Sequence, residues 1–119
     1  VKDIREAFAS LTERANQALG PFNDASVGIG RYVAGSSPWE KHNNGDELLL
    51  VTDGDVSVEV LGADDGSGDA VTVQLQEGAL FVVPRGKWHQ LTATDYVNIL
   101  YISPDEAGVE RQREHPLFG

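Results

Sequence analysis

Cysteine is absent from these 119 residues, which removes disulfides, thiolate metal ligands and thiol nucleophiles together. Such a chain fits any compartment and inclines the reading toward the cytoplasm. Basic residues are scarce as well: nine Lys and Arg stand against nineteen Asp and Glu, a net charge of −10. That balance argues against nucleic acid or an anionic membrane as partner, because both repel a polyanion. No apolar stretch approaches the ~20 residues that cross a bilayer. The longest, Ala79 to Pro84, is the size of a strand. A basic start followed by an apolar segment is also missing, so no signal peptide is expected. No serine sits in a nucleophile-elbow pattern, and Gly28-Ile29-Gly30 lacks the following helix of a dinucleotide fingerprint.

What is present begins with a helical period. Val1, Ile4, Phe8, Leu11, Ala15 and Leu19 recur at helix spacing, with Lys2, Arg5, Glu6, Glu13 and Arg14 for the wet side. The spacing predicts a helix over residues 1–19, stopped by Gly20-Pro21 and favoured by Arg14 near its end. From Val27 the period becomes two. Val27, Ile29, Arg31 and Val33 alternate with Gly28, Gly30 and Tyr32, whose two glycines permit close approach. Glu47 to Asp53 reads as a leucine-rich strand buried on both faces. Asp53-Gly54 signals a type I′ hairpin, and Val56, Val58 and Val60 line the return strand. Residues 63–69 read as a flexible loop. Val71 to Leu75 is a strand, Glu77-Gly78 a turn, and Ala79 to Val83 a strand buried on both faces. Pro84-Arg85-Gly86 is a second turn. His89, Leu91 and Ala93 share one face of the next strand, Tyr96 to Ser103 makes a last one, and a polar tail follows from Pro104. Leu117 and Phe118 are expected to dock on the barrel or on a second subunit. Many short strands after one helix predict an all-β antiparallel barrel or jelly roll. The organisation is a single domain: lead-in 1–24, barrel 25–103, tail 104–119.

Four residues carry the chemistry. Glu40 and His42 are two apart and share a face of an extended strand. Asn43-Asn44-Gly45-Asp46 is turn material that breaks the parity and lets Glu47 return toward the same cavity. His89 lies in a different hairpin and converges with them only if the barrel closes. Imidazole and carboxylate from separate strands make a divalent-metal site. Glu40 is either a ligand or a solvent-facing partner of Lys41 or Arg85. Glu47 opens an apolar strand, where a buried charge needs a partner. His115, in a polar tail before a proline, reads as a surface residue. Arg85 and Lys87 flank the turn before His89, and Arg85 can steer an anionic substrate or simply sit in a solvated turn. Trp39, Phe81, Trp88 and Tyr101 are core or rim aromatics. Arg85, Phe81 and Tyr101 are the candidate substrate contacts, and Trp88, opposite His89, faces a wall or an interface.

At these residues the chain resembles a single-domain cupin. Gly78, Pro84, Gly86 and His89 match the second motif of that family, which departs only at Ala93, where the family has asparagine. His42, Glu47 and Gly54 match the first motif. Glu40 stands in place of its first histidine, and Gly35 is one residue too close. The resemblance covers roughly residues 25–103. It implies a jelly-roll barrel holding one divalent metal (Mn, Fe, Zn or Ni) on His42, Glu47 and His89, with Glu40 as a possible fourth ligand. The expected function is that of a metal-dependent enzyme, a dioxygenase, isomerase or lyase, acting on a small polar molecule. The rivals are a non-catalytic binding or sensing module and a degenerate barrel without metal. Unpaired barrel edges suggest a homodimer.

Overall fold

The computed structural model describes residues 1–11, 15–62 and 68–116. Among these residues, eight antiparallel strands following one short helix make a sheet that curls into a jelly-roll barrel. In chain order these are α1 (Ile4–Ala9), β1 (Ala15–Phe22), β2 (Ala25–Ser36), β3 (Trp39–His42), β4 (Glu47–Val60), β5 (Val71–Gln76), β6 (Leu80–Val83), β7 (His89–Pro104) and β8 (Val109–Gln112). The strands run β1-β2-β7-β3-β8, and β4 pairs with β5, β6 and β7. No helix among the described residues is long and apolar enough to cross a membrane.

The predicted helix over 1–19 is the largest correction. Only Ile4–Ala9 is helical, capped by Asp3, whose carboxylate accepts from the backbone N–H groups of Arg5 and Glu6. Ala15–Phe22 is a strand paired along β2 from Ala15↔Arg31 to Phe22↔Ala25. Pairing with β2 satisfies a whole row of backbone groups, and that long-range gain overrides a weak local period. Gly20 and Pro21 lie within this edge strand beside a register shift, where a missing N–H is tolerated. Glu13 and Arg14 lie outside the described residues. Arg31 takes the role foreseen for Arg14: its guanidinium donates to the carbonyls of Phe8 and Leu11 at the helix end.

Two expected strand breaks also change. Asp53-Gly54 does not turn the chain: β4 runs through it for 14 residues. A type I′ turn needs positive φ at both central residues, and of this pair only Gly54 has it, at 78°. Gly54 marks a bulge instead, and a Cβ there would overlap the carbonyl oxygen of Tyr96. In the same way β7 is one strand of 16 residues rather than two, pairing with β2 along one side and β4 along the other. Strand β6 is not buried on both faces, since Leu80 and Val82 are exposed. The polar tail contains β8, which pairs with β3 from Trp39↔Gln112 to His42↔Val109. Most of the loop over 63–69, and Leu117 and Phe118, lie outside the described residues.

The principal core gathers Leu49, Val51, Val56, Val58, Leu75 and Ile99 with their neighbours inside the barrel. Trp39, Trp88 and Leu61 form a smaller core on the opposite side of β3. His115 is half-buried rather than a surface residue, and its ring meets Trp39 edge-on at 4.8 Å.

Candidate metal centre

Strand β3 alternates Trp39 and Lys41 outward with Glu40 and His42 inward, as an extended chain must. Its Glu40 pairs with His89 at the start of β7, which puts the two motifs side by side. Donor atoms of Glu40, His42 and His89 lie within 4.8 Å of one another, a group that could hold a metal ion. The His42 and His89 rings stack with centroids 5.3 Å apart.

Glu47 joins both imidazoles. Its Oε1 is 3.2 Å from His89 Nε2 and its Oε2 is 3.3 Å from His42 Nε2, while Ser103 donates its hydroxyl to Oε2. Burial alone would raise the Glu47 pKa, but the two histidines outweigh it and hold the carboxyl well below its ordinary range. Burial likewise works to lower the His42 pKa, and the charge of Glu47 reverses it to a raised value. Despite this proximity neither ring nitrogen of His42 makes a well-formed hydrogen bond, although the residue is only 5% exposed. A buried imidazole held by an ion pair but by no well-formed hydrogen bond is incompletely satisfied. Together with a nitrogen-and-oxygen donor set, its ring lone pair fits a divalent ion of borderline hardness.

Glu40 has a partner that the sequence reading missed. It pairs with Arg111 on β8 rather than with Lys41 or Arg85, and Arg111 also reaches Glu106 at 3.0 Å. Lys41 instead meets Glu110 at 3.3 Å.

A cavity of about 410 Å³ opens onto this group. Glu40, His42 and Glu47 line one side, and Asn16, Tyr32 and Tyr101 face them. Tyr101 donates to Asn16 Oδ1, and Asn16 Nδ2 lies 3.4 Å from the Tyr32 hydroxyl. Burial is the main cause that raises both phenols; Tyr32 is pushed up to about 12, the Asn16 contact opposing. The glycines of β2 make room for these rings. A Cβ on Gly28 would overlap Tyr101, and one on Gly30 would come within 2.8 Å of the Tyr32 hydroxyl. Alternation along β7 and β2 could have revealed Ser103 and Tyr32. Asn16 was hidden within the presumed helix, and Arg111 in a tail that carries no strand pattern.

Of the expected substrate contacts, Tyr101 lines the cavity and the other two do not. Phe81 packs against the aliphatic core. Arg85 is exposed, its Nε donates to the Asn43 carbonyl, and its backbone N–H donates to Asp46. It therefore braces the turn that reverses the chain between His42 and Glu47.

The same architecture recurs in solved structures. A cupin-2 domain protein from Shewanella frigidimarina superposes with a TM-score of 0.70 at 23% identity, over 88% of this chain and 95% of that one. Hydroquinone 1,2-dioxygenase from Sphingomonas sp. TTNP3, solved with 4-hydroxybenzoate bound, gives 0.70 at 21% identity over 89% and 74%. Oxalate oxidase with the substrate analogue glycolate gives 0.67 at 19% identity over 85% and 56%. Likenesses at these identities speak for the fold. No protein of curated function matches the chain. Residues 32–103 match the sequence profile of the Cupin_2 cupin domain, so the chain belongs to the cupin family.

Proposed function

We propose that the chain binds one divalent metal ion among His42, His89, Glu47 and Glu40, and uses it to act on a small polar molecule held in the adjoining cavity. The observation that carries this reading is buried His42, whose ring nitrogens make no well-formed hydrogen bond, with His89, Glu40 and Glu47 gathered beside it. Bound there, the ion would supply Lewis-acid polarisation of a substrate oxygen or a centre for dioxygen chemistry. The chain's own part is binding and positioning. Ser103 and the imidazoles hold the Glu47 carboxylate ionised and oriented. Tyr32 and Tyr101 keep their protons at neutral pH and present O–H groups to an oxygen-bearing substrate. Leu49, Leu91 and Ile99 keep the remaining wall dry. The reaction class is that of a dioxygenase, isomerase or lyase, and the fold is shared with a dioxygenase and an oxidase of small oxygenated molecules.

A metal-free binding barrel is the second reading, favoured by one observation: Glu47 already bridges both histidines, and Arg111 already engages Glu40. Elemental analysis of protein purified without chelator separates the two. Stoichiometric metal that His89→Ala removes, with the fold retained, supports the first reading. Protein that stays metal-free and unshifted in melting temperature on adding Mn²⁺, Fe²⁺, Zn²⁺ or Ni²⁺ sinks it, since an ion bound to the native state must raise stability. A homodimer covering the exposed Leu80 and Val82 of edge strand β6 belongs to the same proposal, as does a cytoplasmic location for this cysteine-free chain.

A further inference from the structure

A second, drier compartment of about 210 Å³ adjoins the cavity and shares Tyr32, Ser37, Pro38 and Leu91 with it. No carboxylate or imidazole lines it; Val33, Val56 and Ala93 make much of its wall, and Arg113 stands among the lining residues. The hollow has its origin in strand register. Gly35 on β2 stands opposite Ala93 on β7, so two of the smallest residues meet where larger pairs fill the barrel elsewhere. A register shift between Val33 and Gly35, with Gly35 at φ 130°, bends β2 at this point. Ala93 is 4% exposed and brings only a methyl group to the wall, which leaves the space apolar.

Alternation places His89, Leu91 and Ala93 on one face of β7. At about 3.4 Å per residue, Leu91 lies ~7 Å and Ala93 ~14 Å along the strand from His89. A molecule with its head at the metal centre would thus extend past Leu91 and bring its far end against Ala93. Water in such a hollow has few polar partners and is displaced with a gain in affinity.

We propose that this compartment is the subsite for an apolar tail, so that the ligand is amphipathic: an oxygen-bearing head joined to a single carbon ring or an alkyl group of similar bulk. The head rests on the metal-centre reading; the tail does not. Size bounds the tail, because an enclosed apolar cavity of about 150 Å³ takes benzene. The space here accommodates one ring with a small substituent.

The test uses the full chain loaded with Zn²⁺ and two probes sharing a chelating head, acetohydroxamate and 4-phenylbutyrohydroxamate, whose linker carries the ring to the depth of Ala93, titrated by calorimetry. The aryl probe is expected to bind roughly tenfold or more tightly than the methyl one, as burial of a ring implies. Ala93→Leu removes that advantage while metal content stays unchanged and acetohydroxamate affinity stays within about twofold. Val33→Phe fills the same space from β2 and replaces Ala93→Leu if that variant does not fold. Equal affinity of the two probes for the native chain overturns the proposal, as does an aryl advantage that survives both substitutions. If the chain takes no metal, neither hydroxamate binds and the metal-centre reading fails, but toluene still decides the subsite in the presence of chelator. A toluene-induced rise in Tm that Ala93→Leu abolishes supports it, and no rise in the native chain overturns it.

Discussion

At one end of the barrel interior His42, Glu47 and His89 are buried together, while farther along β4 Val51, Val56 and Val58 pack with Leu75 of β5 as a dry core. Both groups are almost fully sequestered, yet their energetics are opposite. The aliphatic end stabilises the chain at roughly 25 cal/mol per Å² of apolar surface removed from water. The ionisable end must offset the desolvation of a carboxylate and two imidazoles, and it leaves His42 without well-formed hydrogen bonds. The contrast teaches that the site is held in place by its neighbours rather than by its own contacts. Real proteins tolerate such local conflicts at functional positions.

Substitutions can break this contrast. The largest effect is expected at the aliphatic end. Leu75→Ala, far from the metal group, should lower unfolding free energy by about 3 kcal/mol in urea titrations while leaving metal uptake unchanged. Next comes the wall between the two ends, where Tyr32 has its pKa pushed up from 10.0 to about 12. Below pH 10 folded and unfolded chains both carry the proton and stability is intact. Between pH 10 and about 12 the unfolded chain has lost the proton that the folded chain keeps, so stability falls as pH rises through that window. Tyr32→Phe should flatten the decline, read by denaturation at stepped pH. A smaller effect belongs to Lys41, which meets Glu110 and lies 5.2 Å from the Trp88 ring centroid. Lys41→Ala should cost about 1 kcal/mol or less, and less again in high salt. The smallest is the most telling. His42→Leu should leave the stability of metal-free protein within about 1 kcal/mol of the native value, because burial of the apolar side chain offsets the lost His42–Glu47 pair while His89 and Ser103 still engage the Glu47 carboxylate. The same variant should lose metal uptake altogether. A loss as large as that of Leu75→Ala would show the two ends to be energetically alike.

Much of this was legible in the sequence, for identifiable reasons. Alternation along β2, β4 and β7 marked the barrel faces, and the Glu40-Lys41-His42 spacing put two donors on one side of β3. Turn chemistry at Gly78 and Gly86 was legible too, since both adopt positive φ. What was not legible depends on distant partners. Nothing local in Ala15–Phe22 announces a strand, because its stabilisation comes from the edge of β2. Asp53-Gly54 carries a hairpin signature, but the pairing of β4 with β7 on both sides of it keeps the strand going. Arg111 became visible as a cavity residue only once β8 had paired with β3.

The contacts that close the site are long-range in the chain: Glu47 and His89 stand 42 residues apart, and Glu40 and Arg111 stand 71 apart. Closing loops of that length is slow, and such pairings arrive late in folding. A growing polypeptide therefore carries Glu40, His42 and Glu47 well before His89 and Arg111 arrive to complete the site. The aliphatic half must drive collapse unaided, with the acids and imidazoles carried along as passengers until the barrel is complete.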